Sequence, residues 1–475
     1  MTDCNTNDEK LNHKKDEVCV IVAGSVDSGK STTIGVLSYG DLDDGNGSAR
    51  AKVAKHPHEV DSGKTSDIST RSLRLNKDKE IVIVDLCGHE KYLKTTLFGM
   101  TGYFPDYGIL VVAANRGLLK MTREHLGIML YMRIPFIIVV TRIDIAPKSI
   151  YEKTMLNLKR IMKRFNKRLV ILNNEEDTDT PEKVEELKNE ARKIVFAMKD
   201  NNNILPVISI SNKTGYCVDV LRDMLINLKP RVVWKDENTK GSIFYIDSKF
   251  NPVGVGLVVS GVLKGSTIKL GQEMMMGPYG KDFIPIRVWS IHNNTRENIN
   301  ELNDRNHGCL AFRVLDKKLD FNKAMIRKGM LIISKDIEKN ICYQFTAKIE
   351  VLNHSTTISG KYSPVIHCGI VRQTARIFLD QNQHLKMGDS AEVEFRFIQH
   401  PEFMEPGMTF FFREGTTRGV GTVVRILNIK DDPDPNPAEP KKRKKNQRRR
   451  TRPSKNRRNE MRNKNDGKNN NIEVI

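Results

Sequence analysis

The chain has 475 residues, enough for roughly three domains, and 29% of its residues are charged. Its mean hydropathy is −0.45, and its longest apolar run, around 134–140, is far too short for a membrane helix. The polar N-terminus argues against a secretory signal peptide. Seven scattered cysteines without a Cys-x-x-Cys pair argue against a disulfide framework or a zinc ribbon. We therefore expect a cytoplasmic protein without a membrane partner.

The net charge of +20 is concentrated near the C-terminus. Residues 441–475 hold 15 Lys/Arg and 3 Asp/Glu, which gives +12, and the rest of the chain carries +8. An acidic, proline-rich stretch at 431–440 precedes this basic block. We predict a disordered N-terminus (1–15) and a disordered basic tail (431–475). RNA contact is favoured over a solvated extension or an import signal, because even the folded part is net basic.

Residues 16–230 predict one α/β domain. Short apolar runs rich in β-branched residues, typical of strands in a parallel sheet, lie at 18–23, 81–85, 109–114, 136–140 and 204–210. Helical segments lie between them, at 152–166, at 181–199 and in a run that ends before Pro230. Strands that alternate with helices in this way predict a doubly wound fold.

The pattern changes after the linker at 230–241. Strand-like runs now recur every 8 to 12 residues, separated by glycines, and helical periodicity is nearly absent. This pattern is typical of β-barrels or sandwiches. We predict two small β domains, 241–340 and 341–430.

The segment GSVDSGKS (24–31) fits the phosphate-loop pattern G-x-x-x-x-G-K-[ST]. It follows a predicted strand and precedes a helix predicted to begin near Thr32, which is the context that the motif requires. Glycines let the backbone wrap around phosphates, Lys30 neutralises their charge, and Ser31 offers an oxygen to Mg²⁺. This context argues against a purely structural glycine turn.

A second motif follows the strand at 81–85. Asp85 ends that strand, and Gly88 follows at D-x-x-G spacing. A carboxylate at this sheet edge can hold Mg²⁺ through water, and the N–H of Gly88 can contact a γ-phosphate. A lone histidine is more often a surface or core residue than a catalyst. The position of His89 directly after Gly88 favours catalysis.

Two further loops follow the strands at 136–140 and 204–210. In the first, Asp144 is placed to accept hydrogen bonds from guanine N1–H and its exocyclic amine, which adenine lacks. In the second lie Ser211 and Asn212. Loops at the carboxyl ends of sheet strands are where ligands bind in such folds.

These segments resemble the translational GTPases, the family of elongation factor Tu and elongation factor 1-alpha. The resemblance covers about residues 16–430, and the segments at 35–66 and 88–102 resemble the subgroup of GTP-binding proteins one and two. The segments at 353–377 and 411–426 resemble the third domain of these factors. The resemblance implies a P-loop GTPase domain followed by two β-barrels, with GTP/GDP and Mg²⁺ as ligands.

The resemblance also implies a role for each matching residue. Thr65 matches the switch threonine that binds Mg²⁺ together with Ser31, while Asp85 binds the same ion through water. His89 matches the histidine that orients the attacking water. Lys30 and Thr65 join His89 in the expected catalytic set. The expected nucleotide-binding residues are Gly24, Asp27, Ser28, Gly29, Lys30, Ser31, Thr32, Asp85, Gly88, Thr141, Arg142, Asp144, Ser211 and Asn212.

Three positions depart from the family pattern. The base-reading motif, normally Asn-Lys-x-Asp, is Thr141-Arg142-Ile143-Asp144, and we expect the shorter Thr141 to brace the phosphate loop less well. Ser25 stands where elongation factors often have His. Lys64 precedes Thr65. At this position elongation factors have an apolar residue, which with the residue matching Val26 restricts the movement of the catalytic histidine.

The sequence therefore predicts a monomeric GTPase that works with tRNA or another RNA and with the ribosome. GTP and Mg²⁺ would order two switch loops, and hydrolysis would release them. Ribosome rescue or RNA surveillance is an alternative task for the same GTPase. A non-hydrolysing, GTP-dependent scaffold tethered to RNA is an alternative of a different class.

Overall fold

The structure, a computed structural model, describes the following residues: 16–54, 65, 67–75, 79–173, 180–201, 203–231, 241–252, 254, 256–294, 296–354, 357–359, 362–379, 384–415 and 417–433. The predicted N-terminal segment 1–15 and all of the predicted tail after residue 433 lie outside these ranges.

The first region contains helices α1 (Lys30–Tyr39), α2 (Ser48–Ala51), α3 (Leu93–Gly102), α4 (Lys120–Tyr131), α5 (Lys148–Arg164), α6 (Pro181–Asp200) and α7 (Val218–Asn227). Its strands are β1 (Asp16–Gly24), β2 (Ser69–Arg74), β3 (Lys79–Asp85), β4 (Tyr107–Ala113), β5 (Phe136–Thr141), β6 (Arg168–Ile171) and β7 (Ile204–Ser209). Short 3-10 helices lie at Glu90–Tyr92, Ile143–Ile145 and, in a later domain, Lys323–Met325.

The seven strands form one sheet in the order β2-β3-β1-β4-β5-β7-β6. Neighbouring strands are parallel except for β2, which runs antiparallel to β3. Every residue of β4 and β5 is buried, because helices cover both faces of the sheet. The carboxyl ends of β1, β3, β5 and β7 lie at one edge, so this topology brings the predicted motifs together.

The remaining strands build two barrels. The first contains β8 (Ser242–Phe250), β9 (Val258–Gly265), β10 (Ile268–Lys269), β11 (Glu273–Tyr279), β12 (Asp282–Asn293), β13 (Asn298–Ile299), β14 (Glu301–Leu302), β15 (His307–Val314) and β16 (Leu331–Ile333). The second contains β17 (Ile341–Asn353), β18 (Val365–Cys368), β19 (Val371–Phe378), β20 (Ser390–Phe397), β21 (Glu402–Phe403), β22 (Thr409–Glu414) and β23 (Thr417–Asn428).

Both sheets close on themselves. In the first barrel β11 pairs with β12 as well as with β16, and in the second β20 pairs with β17 as well as with β19. Buried and more exposed residues alternate along β19, as a barrel wall requires. The predicted fold class, an α/β GTPase domain followed by two β-barrels, is confirmed.

Polar contacts join the three domains. Asp106 of the α/β domain accepts a hydrogen bond from Arg305 of the first barrel at 3.0 Å. Glu124 on α4 forms a largely buried ion pair with Arg418 of the second barrel. In the part of the chain that the structure describes, no helix combines the length and the apolar character that crossing a membrane requires.

Candidate functional site

The phosphate loop connects β1 to α1. Gly29 occupies the N-cap of α1 with φ = 90°, a left-handed conformation that glycine adopts without strain. The first N–H groups of a helix have no partner within it, so this end of α1 is suited to bind an anion. Lys30 is buried, and its Nζ donates to the carbonyl oxygen of Ser25 at 2.9 Å. Burial lowers the pKa of Lys30, whereas nearby Asp85 opposes that shift.

The second motif lies directly against this loop. A Cβ atom at Gly88 would be 2.7 Å from Lys30 Nζ and 2.7 Å from the backbone nitrogen of Val26, so only glycine fits there. A cavity of about 40 Å³ lies between the two segments. Its walls include Val26, Asp27, Gly29, Lys30, Ser31, Thr32, Arg50, Thr65, Gly88 and Arg142.

Three oxygen atoms converge beside this cavity. Ser31 Oγ donates to Asp85 Oδ2 at 2.8 Å and lies 3.3 Å from Thr65 Oγ1. A carboxylate and two hydroxyl groups are hard ligands of the type that Mg²⁺ prefers, and Mg²⁺ commonly uses few protein ligands. The residues present therefore fit the predicted Mg²⁺ site.

A second cavity, of about 200 Å³, continues from the first and shares Gly29, Thr32 and Arg142 with it. Its other walls are Asp43, Gly45, Asp144, Ile145, Asn212 and Lys213. Ser211 Oγ donates to Asp144 Oδ1 at 2.9 Å, which fixes the carboxylate at this end. The pair of cavities thus has Lys30 and the backbone amides of the phosphate loop at one end and the carboxylate of Asp144 at the other.

Thr141 contacts the phosphate loop despite its short side chain. Its Oγ1 donates to the carbonyl oxygen of Ser28 at 2.7 Å, and both residues are buried. The brace that we expected to be weaker is therefore present. Asn212 makes a second hydrogen bond to this region: its Nδ2 donates to Oγ1 of Thr33, on α1, at 2.9 Å.

His89 lies outside the two cavities. Its side chain is exposed, and its Nδ1 accepts a hydrogen bond from the backbone N–H of Lys91 at 3.1 Å. Among the described residues, those that line the phosphate cavity do not include His89. Its water-orienting role therefore stays a prediction. Lys64, the third departure from the family pattern, lies outside the described residues.

A histidine that the sequence analysis did not identify supports the phosphate loop. His125 on α4 is fully buried, and its Nδ1 accepts the N–H of Gly24 at 3.1 Å. Burial lowers the pKa of His125 to about 3, with a smaller contribution from Lys30, so the ring is neutral and can accept. No local motif marks this residue, because the chain separates it from Gly24 by 101 positions.

Comparison with known proteins agrees with this geometry. The Elongation factor Tu GTP binding domain family matches residues 15–231. GTP-binding protein 1 from Xenopus laevis is 37% identical over 86% of the chain, which spans 64% of that protein. GTP-binding protein 2 from Homo sapiens is 35% identical over 86% of the chain, which spans 69% of that protein.

A solved structure shares the fold. Translation elongation factor SelB from Methanococcus maripaludis, in complex with the GTP analogue GppNHp, superposes with a TM-score of 0.61 at 20% identity. The match covers 88% of this chain and 80% of that one. The predicted resemblance and the predicted enzyme class are therefore confirmed: the chain belongs to the family of GTP-binding proteins 1 and 2, within the elongation factor Tu type of GTPases.

Proposed function

We propose that this chain binds GTP with Mg²⁺, hydrolyses it to GDP and phosphate, and uses that cycle to time the binding of tRNA or another RNA at the ribosome. The observation that carries the proposal is the continuous pair of cavities with Lys30 at one end and Asp144 at the other. A nucleoside triphosphate has the matching polarity, with its negative charge at one end and the donors of guanine at the other.

The residues of the phosphate end bind and orient the nucleotide. Backbone N–H groups at the start of α1 and the ammonium of Lys30 contact the phosphates, and His125 and Thr141 hold the loop in shape. Ser31, Thr65 and Asp85 would hold Mg²⁺. When bound, Mg²⁺ supplies positive charge that stabilises the phosphoryl oxygens.

His89 is proposed to orient the attacking water. In this structure its Nδ1 already accepts from Lys91, so Nε2 carries the proton and faces away from that contact. A productive arrangement requires the ring to move toward the phosphate cavity. We propose that docking on the ribosome drives this movement, so that hydrolysis is slow until the partner is bound.

RNA as the partner is supported by family membership and by charge. The chain carries +20, of which +12 lies in residues 441–475 and +8 in the rest, so an anionic polymer is attracted most strongly by that basic segment. Proteins of the related family are named elongation factors, and the fold match to SelB extends over both barrels. The barrels offer the surface on which such a partner would dock.

The first test compares the unmodified protein with His89→Ala. GTP affinity should stay nearly unchanged, since the ring does not line either cavity. Single-turnover GTP hydrolysis in the presence of ribosomes should fall by about 100-fold or more, because a group that positions water acts only in the transition state. The measurement is phosphate release from bound GTP, with and without ribosomes.

His384→Ala is the matched control, because His384 is an exposed histidine of the second barrel. It should behave like the unmodified protein. Equal hydrolysis by His89→Ala and the unmodified protein would remove the catalytic role. Absence of hydrolysis in the unmodified protein under all conditions would instead favour the GTP-dependent scaffold. Binding to charged and uncharged tRNA then separates delivery from rescue or surveillance.

A further inference from the structure

An arginine that is not among the expected site residues lines the phosphate cavity. Arg50 on α2 is half-buried and forms part of the wall of the cavity of about 40 Å³. It also lines a smaller cavity, of about 20 Å³, together with Ser31, Thr65 and Asp85. Because these three residues are the ones that fit Mg²⁺, Arg50 borders both the phosphate cavity and the Mg²⁺ ligands.

The short helix α2 has a defined position beside α1. Asp44 Oδ1 accepts the backbone N–H groups of residues 46–48, at 2.8, 3.0 and 3.1 Å. Asp43 Oδ1 accepts the N–H of Ala49 at 3.0 Å. The two helices are also in close contact, since a Cβ atom at Gly35 on α1 would lie 2.2 Å from the carbonyl oxygen of Ala49. Arg50 is therefore held close to the helix that follows the phosphate loop.

The side chain of Arg50 crosses the start of its own helix. A Cβ atom at Gly47 would lie 2.5 Å from Nε of Arg50 and 3.0 Å from its Cζ. Gly47 is the N-cap of α2 and has φ = 98°, a conformation that glycine adopts without strain. Glycine at this position therefore leaves the space that the guanidinium of Arg50 occupies at the cavity wall.

No carboxylate within the described ranges pairs with this guanidinium. Two other arginines near the cavity are placed differently. Arg116 forms an ion pair with Asp27, with 3.3 Å between Nη1 and Oδ2, and Arg142 also lines the second cavity, at the end where a base would bind. A guanidinium has five N–H donors in a planar fork that matches phosphate oxygens. Arg50 is thus the arginine of this cavity that is best placed to contact a phosphate.

Hydrolysis of GTP creates charge that a cation at this wall would stabilise. The water oxygen bonds to the γ-phosphorus while the bond from that phosphorus to the β–γ bridging oxygen breaks. GDP leaves with the bridging oxygen, one water proton stays on the released phosphate, and the other goes to solvent. Negative charge grows on the bridging oxygen during this step, so donors that contact it act most strongly in the transition state.

We propose that Arg50 supplies this guanidinium from within the same chain. Its donors would contact the γ-phosphate and the bridging oxygen, beside Ser31 and Thr65. The inference rests on the proposed function, because GTP has to be the ligand. It adds to that site a group that acts with and without the ribosome, whereas His89 acts after docking.

Binding of GDP with aluminium fluoride and Mg²⁺ tests the contact without turnover, since the fluoride complex takes the place of the transferring phosphoryl group. Arg50→Gln, made in the full-length protein, should change the affinity for GDP alone by less than about twofold. It should weaken the binding of GDP with aluminium fluoride by about 100-fold. Arg50→Lys should lie between, because an ammonium keeps the charge and loses the fork. The fluorescence of N-methylanthraniloyl-GDP measures both affinities.

Single-turnover hydrolysis is measured on the same variants. Arg50→Gln should slow phosphate release by about 100-fold or more, both with and without ribosomes, whereas His89→Ala should lose mainly the part that ribosomes stimulate. Arg160→Gln is the matched control, because Arg160 is an exposed arginine on α5, and it should behave like the unmodified protein. The urea midpoint of Arg50→Gln should equal that of the unmodified protein.

Two results would overturn the role of Arg50. One is an affinity for the fluoride complex and a hydrolysis rate that are the same in Arg50→Gln and in the unmodified protein. The other is an equal loss of affinity for GDP, GTP and the fluoride complex, because a uniform loss indicates a residue that only shapes the loop. If the unmodified protein binds and hydrolyses GTP, these results remove Arg50 alone and leave the proposed function intact. Absence of GTP binding in the unmodified protein would remove both.

Discussion

At the scale of single residues, Asp144 is the group that would select the base. Its Oδ1 accepts from Ser211, which leaves Oδ2 for a ligand in the cavity of about 200 Å³. The side chain of Asp144 is exposed in this structure, so a nucleotide can reach its carboxylate without breaking the hydrogen bond with Ser211. Arg142 lines the same cavity, and its long stem can lie along the plane of a base.

Asp144→Asn should weaken GTP binding and improve the binding of xanthosine triphosphate. Xanthine presents an acceptor where guanine presents its amine, so an amide pairs with it better than a carboxylate does. Loss of the charge-assisted pair should cost about 1.5–3 kcal/mol of GTP binding free energy. Asparagine can still accept from Ser211 through its side-chain oxygen, so the loop should keep its shape. Titration calorimetry of both proteins with GTP and with xanthosine triphosphate measures the change in the two affinities.

Asp219→Asn serves as the control for that experiment. Asp219 is an exposed residue in the first turn of α7 and should leave both affinities unchanged. Unchanged GTP affinity in Asp144→Asn would show that another loop reads the base.

The residues expected to contact phosphates could be predicted from the sequence, whereas the residues that pack against the phosphate loop could not. Motif residues such as Lys30 and Ser31 are close in the chain, so their spacing alone predicts a common role. Asp85 could be added because it ends a strand at D-x-x-G spacing, and Thr65 because it resembles a family motif. The structure places both beside Ser31. His125 and Arg50 carry no such signal, since their positions depend on how α4 and α2 pack against the loop.

At the scale of elements, β1 joins the α/β domain to the first barrel. Glu17 on this strand accepts from Asn306 Nδ2 at 2.8 Å and, more weakly, from the backbone N–H of His307 at 3.4 Å. Burial raises the pKa of Glu17 to about 8, and the neighbouring carboxylates of Glu80 and Asp106 act in the same direction. The folded protein therefore keeps a proton on Glu17 that the unfolded chain releases.

This difference predicts a pH-dependent stability. Since the folded pKa lies above the ordinary value of 4.5, the stabilisation is complete below pH 4.5 and is lost as the pH rises through about 8. Glu17→Gln keeps an acceptor of the same shape and removes the titration. Between pH 5 and 8 the urea midpoint of Glu17→Gln should therefore change less than that of the unmodified protein.

Glu182→Gln, at an exposed position in the first turn of α6, is the control and should follow the unmodified protein. The interpretation is wrong if Glu17→Gln and the unmodified protein lose stability in parallel over this pH range.

Elements with strong patterns were predictable and weaker ones were not. The strands β4 and β5 are continuous apolar runs, and the observed bounds differ from the predicted ones by a residue or two. The strands β2 and β6 were missed. The sequence of β2, STRSLR, is mostly polar, and β6 has four residues, none of them fully buried. Both lie at the edges of the sheet, where one neighbour is enough and an apolar run is not required.

At the scale of the whole molecule, the three domains share contacts that connect the nucleotide site to the second barrel. Arg418 of that barrel binds Glu124, and the next residue, His125, holds the N–H of Gly24. A single helix, α4, therefore carries both contacts. Sequence patterns predicted the order of the domains, but they contain no information on this contact, because it joins residues almost 300 positions apart.

Charge is the other property of the whole molecule, and most of it lies in residues 441–475, outside the described residues. Their removal takes away +12 of the net +20 without changing any strand or helix described above. Folding and the intrinsic hydrolysis rate should therefore barely change. The affinity for ribosomes should fall. The affinity for isolated RNAs should fall by a similar factor whatever their sequence, because contacts with phosphates carry no sequence information.

The dependence of binding on salt gives the sharpest measurement of this effect. Each phosphate contact that is lost removes about 0.7–0.9 from the slope of log affinity against log salt concentration. Filter binding of the full-length and truncated proteins to ribosomes, from about 50 to 200 mM salt, should show a flatter slope for the truncated chain. A version in which the basic residues of the tail are replaced by glutamine keeps the length and should behave like the truncation. Equal slopes for all three proteins would mean that the tail does not touch RNA in this complex, and the cations of the barrels would then have to supply the whole electrostatic contribution.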